Sequence, residues 1–384
     1  DPWHTLLTNT AHLHTHTTHP ITWTRLLPPP HTHTTPPTYP FHHQPYWATV
    51  APAAHPRRLG LQANSHPLLT ATITTATSGE HLFTGHLSRR AHPWLADHTI
   101  AGTGLLPATA LVEVALHAGA VAGYPLLEEL TLEAPVPLAD GGADLQVTVT
   151  GSDQPGRRTV AVHTRPADDP DAPWTTHATG LLTADEGDES TPPPLPAWPP
   201  AGAEPIDLDG AYRRLAEAGY RFGPAFQGMR AAWRSGDDRY GEIALPEQVD
   251  VAGYPVHPAL LDAALHPELL AVLDSDGDTV RQAFAWEQVR LHATGATALR
   301  VRLTRQAPER LALAAYDPAG ELVLSAAGVL SRATSAARIA AGAARPDRLF
   351  QVDWAPVPPA PAEPTSSWVL IGGDTAGTAA GLPD

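Results

Sequence analysis

The sequence predicts an α+β protein built from two similar halves, each with several strands and one apolar helix. Two segments predict the helices: PATALVEVALHAGAVAG at 107–123 and HPALLDAALHPELLAVL at 257–273 are almost wholly apolar. A Pro-rich break, TPPPLPAWPPAGAEP at 191–205, separates them. Because strands and one apolar helix occur on both sides of this break, we interpret the chain as a duplicated unit whose sheet wraps around its helix.

The strands are predicted from short segments that alternate apolar and polar residues or are continuously apolar. In the first half these are HLFTGHL, LLEELTLEAPV, ADLQVTVTG, RTVAVHTR and TTHATGLLTA. In the second half a polar helix, DLDGAYRRLAEAG, precedes GMRAAWRSG, RYGEIAL, WEQVRLHA, ALRVRLTR, RLALAAYD and ELVLSAAGVLSR.

Composition limits the classes of function. The chain has 384 residues, 42% of them hydrophobic, which is enough for a large core. A formal charge of −16 disfavours a nucleic-acid partner, because phosphate binding needs clustered cations. The absence of cysteine excludes disulfides and thiolate metal sites. With no apolar run long enough for a bilayer and no signal-peptide pattern, we expect no membrane partner and a cytoplasmic location.

Residues 1–58 contain alternating His and Thr, in HLHTHTTHP at 12–20 and HTHTTPP at 31–37. A metal-binding tract is one interpretation. The run has neither cysteine nor carboxylate, so we predict no metal site and interpret the segment as a linker lying on a neighbouring surface. Its aromatic side chains are the candidates for holding it there: Trp23, Tyr39, Phe41, Tyr46 and Trp47.

The stretch HPWLADHTIAGTGLLPATA at 92–110 places His98 just before a predicted helix start. Pro107 suits the first turn of a helix, whose free N–H groups and positive dipole end can stabilise an oxyanion. Gly102 and Gly104 allow close backbone approach. A base and an oxyanion site would then share one pocket, although a core histidine satisfied by hydrogen bonds is the alternative for His98 taken alone.

The second apolar helix carries Asp262 and His266 four residues apart, hence on one helical face. Desolvation on an apolar face favours the protonated form of a carboxyl group, which suits a general acid. Pro267 is expected to kink or end the helix just after His266. For Asp262 taken alone, the alternative is a capping or ion-paired carboxylate.

Three segments together resemble the signature motifs of one family. HPWLADHTIAGTGLLPATA, GYRFGPAFQG at 219–228 and HPALLDAALHP at 257–267 are similar, in order and spacing, to those of the dehydratase domain of modular type I polyketide synthases. The resemblance covers roughly residues 60–335. It implies a double hot-dog fold, with two curled antiparallel sheets each wrapped around a long central helix.

The flanks carry their own resemblances. TYPFHHQPYW at 38–47 is similar to the linker that follows an acyltransferase domain, and LFQVDWAPVP at 349–358 resembles the opening of the structural half of a ketoreductase. Since the chain also starts at Asp1 and has one methionine, Met229, we expect it to be a piece of a longer polypeptide. The expected organisation is a linker at 1–58, hot-dog units at 59–190 and 205–335 joined by a linker at 191–204, and a linker with the start of a ketoreductase-like region at 336–384.

The resemblance also implies a reaction and its partners. A β-hydroxyacyl chain, carried on the phosphopantetheine of an acyl carrier protein, loses water without any metal or organic cofactor. His98 would remove the α proton, backbone N–H groups near Leu105 to Thr109 would meet the enolate oxygen, and Asp262 would protonate the leaving hydroxyl. His266 would orient Asp262 or that hydroxyl. The carrier protein, the adjacent acyltransferase and ketoreductase domains of the same polypeptide and a second copy in a homodimer are the implied partners.

The residues that the resemblance assigns to substrate binding come from all three motifs. They are Gly102, Leu106, Pro107, Ala108, Tyr220, Phe222, Gly223, Pro224 and His266. Phe222 stands where the family has a tyrosine, and Tyr220, two residues earlier and on the same face of an extended segment, is the candidate to replace its hydroxyl. Ala108 stands where glycine is common, and RQAFAWEQV at 281–289 departs from the family's Leu-Pro-Phe-x-Trp.

Two other functions remain open from the sequence. One is a hot-dog module without turnover that only supports the synthase dimer, which the presence of both His98 and Asp262 disfavours. The other is thioester hydrolysis by a hot-dog carboxylate, which does not need the segment from His98 to Pro107.

Overall fold

The computed structural model describes residues 1–18, 20–27, 60–184, 192, 195, 197–273, 279–335 and 338–339. They belong to two compact units, Asp1–Ala53 and Ala54–Asp384. None of the helices in these ranges is long and apolar enough to cross a membrane.

The first unit contains two helices that we did not predict, α1 (Pro2–His16) and α2 (Trp23–Leu26). The Asp1 carboxylate caps α1 by accepting a 3.0 Å hydrogen bond from the Trp3 N–H, and Pro2 suits the first turn. His12 and His16 lie one turn apart with their rings stacked at 6.0 Å. Within the described residues no group of three or more His, Asp or Glu side chains is arranged to hold a metal ion. Four of the five predicted anchoring aromatics, Tyr39, Phe41, Tyr46 and Trp47, lie outside these residues.

The second unit contains seventeen strands and four α-helices among its described residues. The strands of its first half are β1 (Gln62–Ala63), β2 (Ala71–Thr74), β3 (His81–Leu87), β4 (His98–Ile100), β5 (Thr103–Gly104), β6 (Leu126–Leu132), β7 (Ala143–Gly151), β8 (Arg157–Pro166) and β9 (Thr175–Thr183). Those of its second half are β10 (Glu204–Pro205), β11 (Tyr220–Phe222), β12 (Met229–Ser235), β13 (Asp238–Ala244), β14 (Thr279–Leu291), β15 (Ala298–Ala307), β16 (Arg310–Tyr316) and β17 (Leu322–Ser335). The helices are α3 (Ala108–Ala122), α4 (Ala211–Glu217), α5 (Pro258–Ala263) and α6 (His266–Val272).

Fourteen strands form one antiparallel sheet in the order β1-β2-β3-β7-β8-β9-β6-β14-β17-β16-β15-β13-β12-β10. The order on each side of the central β6–β14 pair is the same, since β3-β7-β8-β9-β6 corresponds to β13-β15-β16-β17-β14. We predicted two sheets, whereas β6 and β14 pair across the halves, for example Trp286 with Leu130, and make the sheet continuous. The protein is therefore a mixed α+β fold around one large antiparallel sheet.

Helix α3 lies against the first half of this sheet and contacts β6, β7, β8 and β14. Pro107 is its N-cap residue, and Gly123 ends it with φ +84°, a left-handed conformation that favours glycine. Ten of its fifteen residues are buried, among them Glu113. The Glu113 carboxyl group lies 2.8 Å from His66 Nε2, and both side chains are fully buried.

The second apolar helix is broken, and the position we predicted for the break is wrong. We expected it just after His266, but α5 ends at Ala263 and α6 begins at His266. The cause is still Pro267, because its nitrogen has no N–H for the carbonyl four residues earlier, that of Ala263. Within α6 the same proline lies in the first turn, where no N–H is needed.

Two features bring the halves together around the starts of α3 and α5. The Thr109 hydroxyl donates a 3.0 Å hydrogen bond to the Pro258 carbonyl, and the two helices contact each other. A separate three-stranded sheet, β11-β4-β5, then pairs Phe222 of the second half with His98 of the first.

The buried histidines predict how stability depends on pH. Burial is the chief cause that lowers the pKa of His66, His117 and His257 from 6.5 to about 4. Below pH 6.5 the unfolded chain binds protons that the folded protein does not, so the free energy of unfolding should fall as pH drops toward 4. The slope is up to ~1.4 kcal/mol per pH unit for each histidine. Burial raises the pKa of Glu113 well above its usual value, so this carboxyl group binds its proton more tightly in the folded protein. This single group changes the free energy of unfolding in the opposite direction to the three histidines.

Urea unfolding at a series of pH values measures this slope. The matched variant is His257→Asn, because the Nδ1 of His257 accepts the Ala259 N–H at the start of α5 and asparagine can accept it too. We expect a shallower slope for this variant. A stability that is flat or rises between pH 6.5 and 4 would contradict the prediction.

Candidate active site

His98 is the first residue of β4, and its side chain is buried. Its Nδ1 lies 2.8 Å from the Leu105 carbonyl oxygen. A carbonyl only accepts, so Nδ1 carries the hydrogen and Nε2 of the neutral ring keeps its lone pair. Burial lowers the pKa of His98, and this outweighs the opposing effects of the Asp262 charge and the Leu105 hydrogen bond. The ring is thus held neutral with one nitrogen ready to accept a proton.

Asp262 and His266 meet although a helix break lies between them. His266 Nε2 is 3.2 Å from Asp262 Oδ2, so the predicted pairing of these residues is confirmed. The His266 side chain is 1% exposed and that of Asp262 14%. The carboxyl group of Asp262 thus reaches accessible space while His266 supports it from the interior.

One cavity of about 880 Å³ contains all three of these side chains on its wall. Its remaining wall is largely apolar, with contributions from α3, α5, α6 and several strands. Among the lining residues are Ile100, Leu106, Ala108, Thr109, Leu111, Leu132, Val136, Tyr220, Phe222, Leu265, Leu269 and Val272. His98 comes from the first half and Asp262 from the second, so the cavity wall combines a base and a carboxyl group that lie 164 positions apart in the sequence.

The backbone donors predicted between Leu105 and Thr109 are fewer than expected. The Leu105 N–H donates to the His98 carbonyl at 3.2 Å and the Leu106 N–H to the Val136 carbonyl at 2.9 Å. Pro107 has no N–H. Ala108 and Thr109, the first two residues of α3, have no carbonyl four residues earlier within the helix to bond, and both line the cavity. These two N–H groups are the candidates for stabilising negative charge.

Four of the predicted substrate-binding residues, Gly102, Pro107, Gly223 and Pro224, are not among the residues that line the cavity. Gly102 lies exposed in the turn between β4 and β5 with φ +81°, and Pro107 is buried as the N-cap of α3. Gly223 donates its N–H to the Asp97 carbonyl at 2.7 Å, and a Cβ on Gly223 would collide with the Asp97 side chain. Pro224 follows it and is exposed.

Phe222 and Tyr220 lie on one face of β11, as predicted, with rings stacked at 6.3 Å. Phe222 lies close to the candidate base and to the partner of the candidate acid: its ring centroid is 5.7 Å from that of His98 and 4.3 Å from that of His266. The Tyr220 hydroxyl donates to the Arg281 carbonyl at 3.0 Å and accepts the N–H of the same residue. Because both of these bonds are to the backbone of β14, they argue against the prediction that the Tyr220 hydroxyl replaces the tyrosine hydroxyl that the family has at position 222.

Sequence reasoning missed two residues that build this site, Asp97 and Tyr212, and it gave Thr109 a backbone role only. The Asp97 carboxylate accepts the Ala225 N–H at 2.9 Å and so ties the segment after β11 to the segment before His98. Thr109 links α3 to α5, and the Tyr212 hydroxyl of α4 lies 3.4 Å from His266 Nδ1. Asp97 and Thr109 each neighbour a singled-out residue in sequence, whereas Tyr212 has no such signal within its polar helix.

Comparison with known proteins identifies the family. The model of the polyketide synthase dehydratase domain matches residues 66–165, and that of the polyketide synthase dehydratase N-terminal domain matches residues 190–340. Polyketide synthase GfsE of Streptomyces halstedii is 46% identical over 355 residues, which cover 89% of this chain and 9% of that protein. The pikromycin polyketide synthase component PikAII of Streptomyces venezuelae is 43% identical over 94% of this chain and 10% of its own length. The chain therefore spans about a tenth of these curated relatives.

Solved structures match over nearly their whole length. The dehydratase domain from the terminal module of the rifamycin polyketide synthase has 42% identity and a TM-score of 0.66, and the match covers 72% of this chain and 99% of that one. The erythromycin dehydratase has 42% identity and the same TM-score, over 72% of this chain and 100% of its own. With this coverage and identity, this chain belongs to the family and is a dehydratase domain of the modular type I polyketide synthases, a hydro-lyase.

Proposed function

We propose that this chain removes water from a β-hydroxyacyl thioester carried on an acyl carrier protein and releases an α,β-unsaturated acyl thioester. The observation that carries the proposal is the presence of His98, held neutral by the Leu105 carbonyl, and Asp262 on the wall of one largely apolar cavity. This arrangement supplies a base and an acid to adjacent carbons of a bound chain.

The proposed reaction balances with these two groups alone. His98 Nε2 takes the α proton, and the electrons of that C–H bond form the α,β double bond as the β carbon–oxygen bond breaks. Asp262, protonated beforehand, gives its proton to the departing hydroxyl, which leaves as water. The N–H groups of Ala108 and Thr109 stabilise the charge that develops on the thioester oxygen. No metal or organic cofactor takes part, because the thioester itself acidifies the α position.

We also propose that the two halves are hot-dog units, at 59–190 and 205–335, forming the double hot-dog fold. The repeated strand order and the likeness to the rifamycin and erythromycin dehydratases support this. The linker at 191–204, the linker at 1–58, the ketoreductase-like start at 336–384, the homodimer and the cytoplasmic location remain proposals of the same kind.

Incubation with a racemic β-hydroxyacyl thioester, followed by mass spectrometry, tests the activity. Loss of one water supports dehydration. Free acid would instead indicate a thioesterase. Substrate that stays unchanged, both as a small thioester and on a carrier protein, would indicate a scaffold and overturn the proposal.

His266 should act through a hydrogen bond and not by proton transfer. Its Nε2 faces Asp262, and a glutamine amide at this position can donate the same bond. We therefore expect His266→Gln to keep most of the dehydration rate. His266→Ala should leave Asp262 without this hydrogen bond and lose about 1–3 kcal/mol of transition-state stabilisation. Steady-state rates of both variants measure this. If glutamine is as damaging as removal of the base, His266 transfers protons and the assignment of Asp262 as acid must be revised.

The carrier protein should dock through arginines beside the cavity. Arg332 and Arg338 line the cavity and are exposed, so a charge-reversing Arg332→Glu should raise the KM for a carrier-bound substrate by roughly 3- to 10-fold at low salt. The KM for a small thioester should change little. Arg213→Glu, at an exposed position of α4, is the matched control. Equal KM changes for both substrates, or no salt dependence for either, would contradict electrostatic docking.

A further inference from the structure

The Tyr212 hydroxyl lies among three polar groups behind the cavity wall. It accepts the Met229 N–H at 2.9 Å, and it lies 3.3 Å from the Phe226 carbonyl oxygen and 3.4 Å from His266 Nδ1. Burial raises the pKa of Tyr212 to about 12, so the hydroxyl keeps its single hydrogen throughout the neutral range. That hydrogen has two possible acceptors, the Phe226 carbonyl and the His266 ring.

The direction of this hydrogen bond sets which nitrogen of His266 carries a hydrogen. If Tyr212 donates to Nδ1, the neutral ring has its hydrogen on Nε2, which then points at Asp262 Oδ2 over 3.2 Å. If Tyr212 donates to Phe226, Nδ1 takes the hydrogen and the neutral Nε2 can only accept, so Asp262 must turn its own proton toward His266. In the second arrangement the proton of Asp262 is hydrogen-bonded to His266 and cannot be given to the leaving hydroxyl.

We propose that Tyr212 is a positioning residue, whose hydroxyl donates to His266 Nδ1 and holds the Nε2–H tautomer, so that Asp262 keeps its proton on the oxygen that faces the substrate. The inference rests on the proposed dehydration and adds a residue to it. It also agrees with the activity expected of His266→Gln, because an amide oxygen can accept from Tyr212 while the amide nitrogen donates to Asp262.

The packing around His266 supports a fixed ring. Phe222 stacks on one face at 4.3 Å with an interplanar angle of 27°, and the Tyr212 ring meets it edge-on at 5.7 Å and 78°. The ring therefore cannot rotate to exchange its nitrogens without displacing both aromatic neighbours. Because its orientation is fixed, only the position of the hydrogen remains to be decided, and Tyr212 is the group in contact with Nδ1.

Nitrogen NMR of histidine-labelled protein tests the tautomer directly, without any substrate. The His266 signals are assigned as those lost in His266→Gln. We expect the Nε2–H tautomer in the wild-type chain and loss of that single tautomer in Tyr212→Phe. Tyr254→Phe is the matched control, because it removes a buried hydroxyl whose partner is the Trp94 indole N–H at 3.2 Å and not His266. A wild-type His266 with its hydrogen on Nδ1, or an unchanged tautomer in Tyr212→Phe, would overturn the proposal.

A kinetic cycle separates positioning from a general loss of packing. Tyr212→Phe should lower kcat about 3- to 10-fold, the effect of one hydrogen bond, with little change in KM. In a His266→Ala background the same substitution should have no further effect on kcat, whereas a purely structural role would make the two losses add. If the wild-type chain does not dehydrate, the proposed function fails while the NMR result still decides the tautomer.

Discussion

His98→Asn should lower the rate of dehydration by ~10²–10⁴-fold while the protein stays folded, because it removes the general base. Asparagine retains an amide that can donate to the Leu105 carbonyl, so the backbone between β4 and α3 keeps its hydrogen bond. The rate is measured by loss of the β-hydroxyacyl substrate, and folding by thermal unfolding. In the wild-type protein the acid limb of the profile of kcat/KM against pH should lie below 6.5, since burial lowers the pKa of His98 and the neutral ring persists to more acidic pH.

The matched control for this substitution is His177→Gln. His177 is also buried, 2% exposed, but it does not line the cavity. Its Nδ1 donates to the Ala134 carbonyl, and its Nε2 accepts from the Thr164 hydroxyl. A loss of activity equal to that of His98→Asn would mean that any buried histidine is needed for folding. Turnover close to wild type in His98→Asn would remove His98 from the mechanism.

Asp262→Asn should cause a loss of similar size, ~10²–10⁴-fold, for a different reason. The amide has the shape of the carboxyl group and can still accept from His266, but it has no proton to give to the leaving hydroxyl. A substrate with a better leaving group, such as a β-acetoxyacyl thioester, does not need that proton. It should restore much of the rate to Asp262→Asn and none to His98→Asn.

This pair of variants distinguishes the two roles within one experiment. The β-acetoxy substrate is compared with the β-hydroxy substrate in wild type, in His98→Asn and in Asp262→Asn. Equal rescue of both variants would mean that the assignments of acid and base are not separable. Rescue of His98→Asn alone would reverse them.

The sequence predicted the helical segments of the second unit and most of its strands, because hydrophobic periodicity is a local property, but it did not predict α1 and α2 of the first unit. Helix 107–123 corresponds to α3, and the predicted strands of both halves correspond to β3, β6 to β9 and β12 to β17. It did not predict that β6 and β14 join in one sheet, since pairing between distant strands depends on tertiary packing. The break at Ala263 was predicted at the wrong position for another reason: a proline removes the hydrogen bond to the carbonyl four residues before it, so the helix ends there.

The candidate site was partly accessible from the sequence. The pairing of Asp262 with His266 follows from their spacing, and it survives the break between α5 and α6. The sequence did not predict that the N–H groups of Leu105 and Leu106 are used elsewhere. Their acceptors, the carbonyls of His98 and Val136, are brought to them by the tertiary fold, which residue spacing does not reveal. Tyr212 reaches His266 from α4, fifty-four positions away in the chain, and nothing in its local sequence marks it.

The pairing of β6 with β14 limits how such domains can be exchanged between synthases. A cut between β9 and β10 would leave each fragment with one of the two proton-transfer residues and with a central strand, β6 or β14, whose backbone donors and acceptors lack their partner. Such an edge tends to pair with another chain. A recombinant synthase that takes its halves from different parents must therefore match two surfaces at once, the backbone register at Trp286 and Leu130 and the geometry across the cavity. We expect the portable unit to keep both halves together and to extend at least to Ile339, which is buried in the core and lines the cavity, with crossover points outside these ends.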